Sequence, residues 1–270
     1  MDYNREYFKE KTAVVTGGAS GIGLALIKEL LESGAAKAVM ADINQERLDE
    51  QGKRLNEQYP GRVKALRCNV MEEAQVKSLI AQSADFMGGR IDLLFNNAGA
   101  GFDGWFADMT NADWKTAFDL NFYSALYGMR EVLPIMLNQG GGQIINTISG
   151  IAFAPLAAQT RYSATKAALC ALSIALRAEY ADDNIKISPA TPGTTATAIW
   201  GGGPIPESAQ SPRNSASRIL AGAVNNDRII YGDDTDKEIA AKSLNPSDQA
   251  EVDQALLNIA RERRKGNIGF

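Results

Sequence analysis

Short apolar runs and amphipathic stretches take turns along the first two thirds of the chain. Ala13-Val14-Val15 predicts a strand; after a cluster of glycines, Ile22 to Leu31 predicts a helix that Gly34 ends. Ala38 to Met40 predicts a second strand and Gln45 to Tyr59 a polar-faced helix. Val63 to Val70 is a third strand, and Glu72 to Phe86 a helix with apolar residues at Val76, Leu79, Ile80 and Ala84. Ile91 to Phe95 follows as a fourth strand. Thr110 and Asp113 then open, in the manner of a capping box, a long helical region that reaches Leu137. Gly140-Gly141-Gly142 breaks it before a strand over Gln143 to Ile148. Tyr162 to Tyr180 predicts a long apolar helix and Ile185-Lys186-Ile187 a sixth strand. Strands separated by helices of about ten residues or more need crossover connections. The pattern therefore predicts an α/β fold with a parallel sheet covered on both faces.

The one shift in composition comes at Thr194 to Ser217, where Gly, Pro, Ser and Thr crowd together. It reads as a flap (about 194–217) and not as a domain boundary. Beyond it Ser211-Pro212 can cap a helix through Asn225, and Arg228 to Tyr231 predicts a last strand. A polar tail (about 233–270) ends in a helix over Ser247 to Lys265, with Gly266 as its stop. Arg261, Arg263, Arg264 and Lys265 lie in that helix's last turn, where cations suit the dipole, and read as a solvated helix end, with a site for an anionic partner as the alternative. No internal repeat or low-complexity linker divides the chain, so residues 1–270 are expected to form a single domain.

Composition changes the picture mainly by what it lacks. The 270 residues include 28 basic and 32 acidic side chains, two cysteines and no histidine. Without imidazole there is no Ser-His-Asp or Cys-His triad and no His-containing zinc site, and no metal site is implied. Acid–base chemistry near neutral pH falls to tyrosine, lysine, a carboxylate or water. A net charge of −4 argues against a nucleic-acid partner. The polar start Met1-Asp2-Tyr3-Asn4-Arg5 has no apolar signal core, and no apolar run is of membrane-spanning length. A cytoplasmic location without membrane association is the expectation. Cys68 and Cys170, far apart and flanked by apolar residues, read as reduced, buried thiols.

Three groups of residues carry candidate chemistry. Thr16-Gly17-Gly18-Ala19-Ser20-Gly21-Ile22-Gly23 follows a strand and opens a helix. Glycines let the backbone turn sharply and approach a diphosphate, while the helix N-terminus offers free N–H groups. Asp42 ends the next strand, where a carboxylate can accept both adenosine-ribose hydroxyls; taken alone, it could be a helix cap. That carboxylate would repel a 2′-phosphate, and no Lys or Arg lies between Gly17 and Gly23, so NAD is expected over NADP. The second group, Asn96-Asn97-Ala98-Gly99, closes the fourth strand and suits a cofactor lying across the sheet crevice; otherwise it is a turn. The third is Ser149 with Tyr162 and Lys166 in Tyr162-Ser163-Ala164-Thr165-Lys166, the last two on one face of an otherwise apolar helix. A phenol starts near pKa about 10. A nearby ammonium in a partly dry cleft favours phenolate and draws that value toward working pH.

These segments resemble the short-chain dehydrogenase/reductase family over roughly residues 10 to 200. The glycine motif, Asn-Asn-Ala-Gly, Asn121, the Ser149-to-Tyr162 gap, Tyr-x-x-x-Lys and Pro192-Gly193 with Thr197 occur in the family's order and spacing. The resemblance implies a single Rossmann-type doubly wound domain with a seven-stranded parallel sheet. It implies Tyr162 as general acid/base and Ser149 as the hydroxyl that orients the substrate oxygen. Lys166 would bind the nicotinamide ribose and lower the tyrosine pKa, and Asn121 would link to a proton relay. Cofactor contacts would come from Gly17, Ser20, Gly21, Ile22, Gly23 and Asp42. Further contacts would come from Asn69 and Val70 at the adenine, Asn97, Ala98 and Gly99 at the adenosine ribose, and Pro192, Gly193, Thr195 and Thr197 at the carboxamide. Three features depart from the family: Asn69 where aspartate is usual, the lead-in Ser188-Pro189-Ala190-Thr191, and Ile229-Ile230-Tyr231-Gly232 with a charged tail in place of a glycine-rich end. A homodimer built on the helices Thr110 to Leu137 and Tyr162 to Tyr180 is therefore expected, with a tetramer as the alternative.

The expected activity is hydride transfer between NAD(H) and a secondary alcohol or ketone. A non-catalytic NAD-binding regulatory relative and a same-fold epimerase or dehydratase are the alternatives. Bulky apolar side chains that could line a substrate site are Phe102, Trp105, Phe106, Ile151, Phe153, Leu156, Trp200 and Ile205, which favours a hydrophobic alcohol. Gly201-Gly202-Gly203-Pro204 suggests a lid.

Overall fold

The computed structural model describes residues 3–200 and 203–266. In chain order its regular elements are β1 (Thr12–Thr16), α1 (Gly21–Glu32), β2 (Lys37–Asp42), α2 (Gln45–Gln58), β3 (Val63–Arg67) and α3 (Glu73–Phe86). They continue with β4 (Leu93–Asn96), α4 (Asn111–Phe118), α5 (Ser124–Asn138), β5 (Gly142–Thr147), α6 (Thr160–Glu179) and β6 (Ile185–Thr191). Last come α7 (Pro212–Asn225), β7 (Ile230–Tyr231), α8 (Asp234–Leu244) and α9 (Gln249–Arg264).

The strands form one parallel sheet in the order β3-β2-β1-β4-β5-β6-β7. The chain steps outward from β1 to β3 and then returns to the other side of β1. The carboxyl ends of β1 and β4 thus flank the point where the winding reverses, the place where such sheets open a crevice. Both faces are covered. Ala13 and Val15 of β1 pack with α1, α2 and α7, while Val14 packs with α3, α5 and α6. Every residue of β1 is buried, which is why its sequence is a continuous apolar run without alternation.

Three elements differ from the sequence expectation. The helical region after Thr110 is broken by a π-helical turn, Asp119–Tyr123, which separates α4 from α5. β6 runs on through Pro189 to Thr191, so the unusual lead-in to Pro192 is strand. The short β7 pairs only with Ala190 and Thr191, so no ladder partner stands beside Pro189 on that side. The tail holds two helices, α8 being the one the sequence pattern did not separate. Cys68 and Cys170 are free, buried thiols, as expected, and burial raises the pKa of both. Among the described residues no helix is long and apolar enough to cross a membrane.

α1 carries the opening of the crevice, and its seating rests on Leu26, Ile27 and Leu30, all fully buried. Glu29, buried beside them, pairs with Arg213 of α7 at 2.6 Å and with Arg5 at 3.2 Å. Leu26→Ala should lower unfolding free energy by about 2–5 kcal/mol, because the cavity it leaves lies in a close-packed layer. Urea denaturation measures this, and a loss below about 1 kcal/mol would contradict the packing described.

Candidate active site

The carboxyl ends of β1 to β6 gather the residues singled out from the sequence along one edge of the sheet. After Thr16 the backbone turns at Gly17 (φ +63°) and Gly21 (φ +52°), both in the left-handed region that favours glycine. Gly23 is required for another reason: a Cβ there would sit 2.1 Å from the Gly17 carbonyl oxygen. α1 starts at once, with Ser20 as its N-cap making no side-chain cap bond and no acidic residue in the first turn. Its leading N–H groups therefore present positive potential to the crevice. Asp42 accepts from the backbone N–H of Ala19 (3.1 Å) and of Asn44 (3.0 Å). It is Asn44, and not Asp42, that caps α2.

Thr16 stitches β1 to β4, a role its sequence did not signal, since threonine is an ordinary strand residue. Its Oγ1 accepts from the N–H groups of Asn97 (3.0 Å) and Ala98 (3.1 Å), and Asn97 Nδ2 donates back to the Thr16 carbonyl (3.0 Å). Gly99 lies deeper, where a Cβ would meet Asn121 Oδ1 at 2.8 Å and Lys166 Nζ at 3.3 Å. Asn69 and Val70 follow β3; the Asn69 amide oxygen accepts from Met71 N–H at 3.2 Å, and Val70 is buried.

Ser149 caps the short 3-10 turn Gly150–Ala152, and its hydroxyl faces the Tyr162 phenol closely enough to favour its ionised form. One turn along α6, Lys166 is only 3% exposed; its Nζ donates to the Thr147 carbonyl at 2.8 Å and stands 5.9 Å from the Tyr162 ring centre. Asn121 is buried in the π-helical turn. Its amide grips Ala100 at both ends, accepting from N–H and donating to the carbonyl, each at 3.0 Å, and it donates to Thr165 Oγ1 at 3.3 Å. Ser149, Tyr162, Lys166 and Asn121 thus form one cluster.

The titration of that cluster departs from expectation. Burial pushes the Tyr162 phenol up to about 12; the Ser149 hydroxyl opposes this, while the charges of Asp236 and Asp103 add to it. Burial also pushes the Lys166 ammonium down to about 8. The downward pull expected of Lys166 does not set the phenol's pKa: its Nζ is turned to the Thr147 carbonyl, and desolvation weakens its charged form.

Beyond β6, Pro192 leads into Gly193 (φ +68°), and buried Thr195 Oγ1 donates to the Pro192 and Gly193 carbonyls, both at 3.1 Å. The flap is pinned at its base, where Gln210 N–H donates to the Thr194 carbonyl and Ala196 N–H to that of Gln210, each at 2.9 Å. Thr197 leans on the glycine turn, its Cγ2 lying 3.3 Å from the place a Gly21 Cβ would occupy. Trp200 Nε1 donates to the Thr195 carbonyl at 2.9 Å. Gly201 and Gly202 of the expected lid lie outside the described residues. Of the apolar candidates, Ile151 is buried, Phe153 lies 6.1 Å from the Tyr231 ring, and Phe106 packs edge-on to Trp114 and is largely exposed.

The C-terminal tail, read from sequence as solvated at its end, closes on this region. Arg263 is 7% exposed and donates to the Ala157 carbonyl at 2.8 Å, and Arg264 stacks over Trp105 at 5.3 Å. α8 packs on the turn that follows Ser149.

The model of the short chain dehydrogenase family matches residues 11–203. An uncharacterised oxidoreductase of Staphylococcus epidermidis is 34% identical over 194 residues, spanning 72% of this chain and 82% of the relative. A short chain dehydrogenase of Mycobacterium smegmatis has a similar structure, with a TM-score of 0.75 at 26% identity over 86% of this chain and 95% of its own. A short chain dehydrogenase/reductase of Burkholderia phymatum, solved in complex with NAD, gives a TM-score of 0.77 at 24% identity over 87% of this chain and 92% of its own, which speaks for the fold alone. With the family model matched over most of its length, and the sheet wound as in those structures, the chain belongs to the short chain dehydrogenase family of oxidoreductases.

Proposed function

We propose that the protein is an NAD-dependent dehydrogenase that interconverts a secondary alcohol and a ketone through Ser149, Tyr162 and Lys166. The observation that carries this reading is the facing Ser149 and Tyr162 hydroxyls with buried Lys166 one helical turn away, at the crevice where the sheet's winding reverses. The crevice fits a dinucleotide. A Cβ at Gly23 would fill the turn that a diphosphate needs to approach, and the first turn of α1 is free of acidic side chains. Asp42 suits an unphosphorylated adenosine ribose, with Asn69 and Val70 at the adenine and Pro192 to Thr197 at the carboxamide.

Bound there, a nicotinamide would supply the redox chemistry as a hydride acceptor or donor. The chain's own residues position the substrate and manage its proton. In oxidation Tyr162, as phenolate, takes the hydroxyl proton at Oη; in reduction it returns that proton to the carbonyl oxygen. Ser149 donates to the same substrate oxygen and fixes its place. Lys166 binds the ribose hydroxyls, and Asn121, holding Ala100 and Thr165, keeps the floor of the site in place. Ile151, Phe153 and Trp200 give the reacting end apolar walls, which suit a hydrophobic alcohol.

Tyr162→Phe should reduce turnover by about 10²–10⁴-fold, the usual worth of general acid–base catalysis, and leave NADH affinity by fluorescence within about twofold. Wild-type turnover in that variant would contradict the mechanism. The rate of oxidation should rise with pH as the phenol ionises, and the rate of reduction should fall.

Asp42→Ala should lower the preference for NAD over NADP by about tenfold or more, read as the ratio of kcat/KM values. Arg67, the register partner of Asp42, would then offer a cation to a 2′-phosphate with no carboxylate beside it. An unchanged ratio would remove Asp42 from cofactor selection.

A further inference from the structure

The first turn of α8 grips the two loops that flank the reacting end of the site. Asp233 caps the helix, accepting from Asp236 N–H at 2.7 Å with one oxygen and from Thr194 N–H at 3.0 Å with the other. Asp236 reaches further in, where the Thr191 hydroxyl and the Gly193 N–H favour its charged form. Its Oδ1 also lies against Gly150, the residue after Ser149, so closely that a Cβ there would be 2.1 Å away. At Gly193 a Cβ would meet Asp233 Oδ2 at 2.3 Å. Both loops carry glycine where a carboxylate arrives. The end of β5 and the end of β6 are therefore held together by side chains from a helix that the family model, ending at residue 203, does not include.

We propose that Asp236 is a positioning residue of the active site: its carboxyl seats the Ser149–Gly150 turn against the Thr191–Gly193 turn and sets the field at the Tyr162 phenol. The proposal rests on the reading of Tyr162 as the proton carrier. A hydroxyl placed by a turn is only as well placed as the turn, and a displacement of about 1 Å at a reacting group can cost about 10²-fold in rate. The charge matters separately. An anion on this side opposes ionisation of Tyr162. The groups that face the pair are Ser149 from the β5 end, Lys166 from α6, Asp103 from the loop after β4, Thr191 and Gly193 from the β6 end, Tyr231 from β7 and Asp233 from the head of α8. Half-buried among them, Asp236 holds its proton up to about pH 6, chiefly because of desolvation and with Asp233 adding to it.

Two variants separate position from charge. Asp236→Asn keeps the shape and one accepting oxygen but removes the charge, whereas Asp236→Ala removes both. The Tyr162 phenol is followed by the 13C resonance of its ring Cζ in tyrosine-labelled protein, assigned by its loss in Tyr162→Phe. In Asp236→Asn the phenolate should appear at a pH lower by roughly half a unit or more. In Asp236→Ala, kcat should fall about 10–100-fold while the KM for NAD changes less than about threefold, and Asp236→Asn should recover much of that loss. An unshifted titration in Asp236→Asn, or a kcat within about twofold of wild type in folded Asp236→Ala, would overturn the proposal. The titration needs no turnover. Should no alcohol or ketone react with the wild-type enzyme, the functional reading fails while the resonance still judges Asp236.

Discussion

A lysine ammonium with 3% of its residue surface exposed needs an acceptor, and the Thr147 carbonyl at the end of β5 provides it at 2.8 Å. The rest of the site is arranged around that bond. One residue earlier on the same strand, Asn146 donates to Ser173 Oγ at 2.9 Å and accepts from Asn96 Nδ2 of β4 at 2.8 Å. Lys166 and Ser173 are seven residues apart on α6 and so share a face, which two successive residues of β5 hold. The rotation and height of α6 on the sheet are fixed by these two polar anchors in an otherwise apolar contact. With α6 fixed, Tyr162 has one place to stand, one turn before Lys166 and within reach of Ser149. Thr147 extends the same network through its hydroxyl to Asn97 Oδ1 at 3.5 Å, and Asn97 in turn holds the glycine turn through Thr16.

Burial that secures these anchors also governs their chemistry. Desolvation moves the phenol up and the ammonium down, so each group is pushed toward its neutral form. The chain has no histidine, so any response of its activity near neutrality must come from groups displaced into that range. Lys166, brought down to about 8, and Asp236, raised to about 6, are two such groups, and both touch the cluster. What looks like a missing tool in the composition is met by burial of other side chains.

Much of this was legible in the sequence because parallel α/β folds write their punctuation locally. The glycine turn, Asp42, Asn97 and the Tyr162–Lys166 pair each sit at the end or start of a predicted element, and the structure brings them to one edge. The parts that were not legible depend on distant partners. Residues 111–138 carry a continuous helical pattern, yet Asn121 is drawn aside by Ala100 and Thr165, and the helix opens into a π turn there. Pro189 ends a strand in most contexts; here it continues one because β7 is only two residues long. α8 is polar and short, and nothing in residues 233–244 announces that Asp236 will reach Gly150. Arg263 read as a solvated helix end because its acceptor, the Ala157 carbonyl, lies 106 residues away.

On the proposed reading this site moves hydride between a carbinol carbon and a nicotinamide while Tyr162 handles only the proton. Mass analysis of the reduced cofactor tests it most directly, after incubation of the enzyme with NAD and hydrophobic secondary alcohols deuterated at the carbinol carbon. NADH should carry one deuterium from the alcohol, with none acquired when unlabelled alcohol is used in heavy water. Loss of the label to solvent, or conversion of the alcohol with no labelled NADH formed, would contradict it.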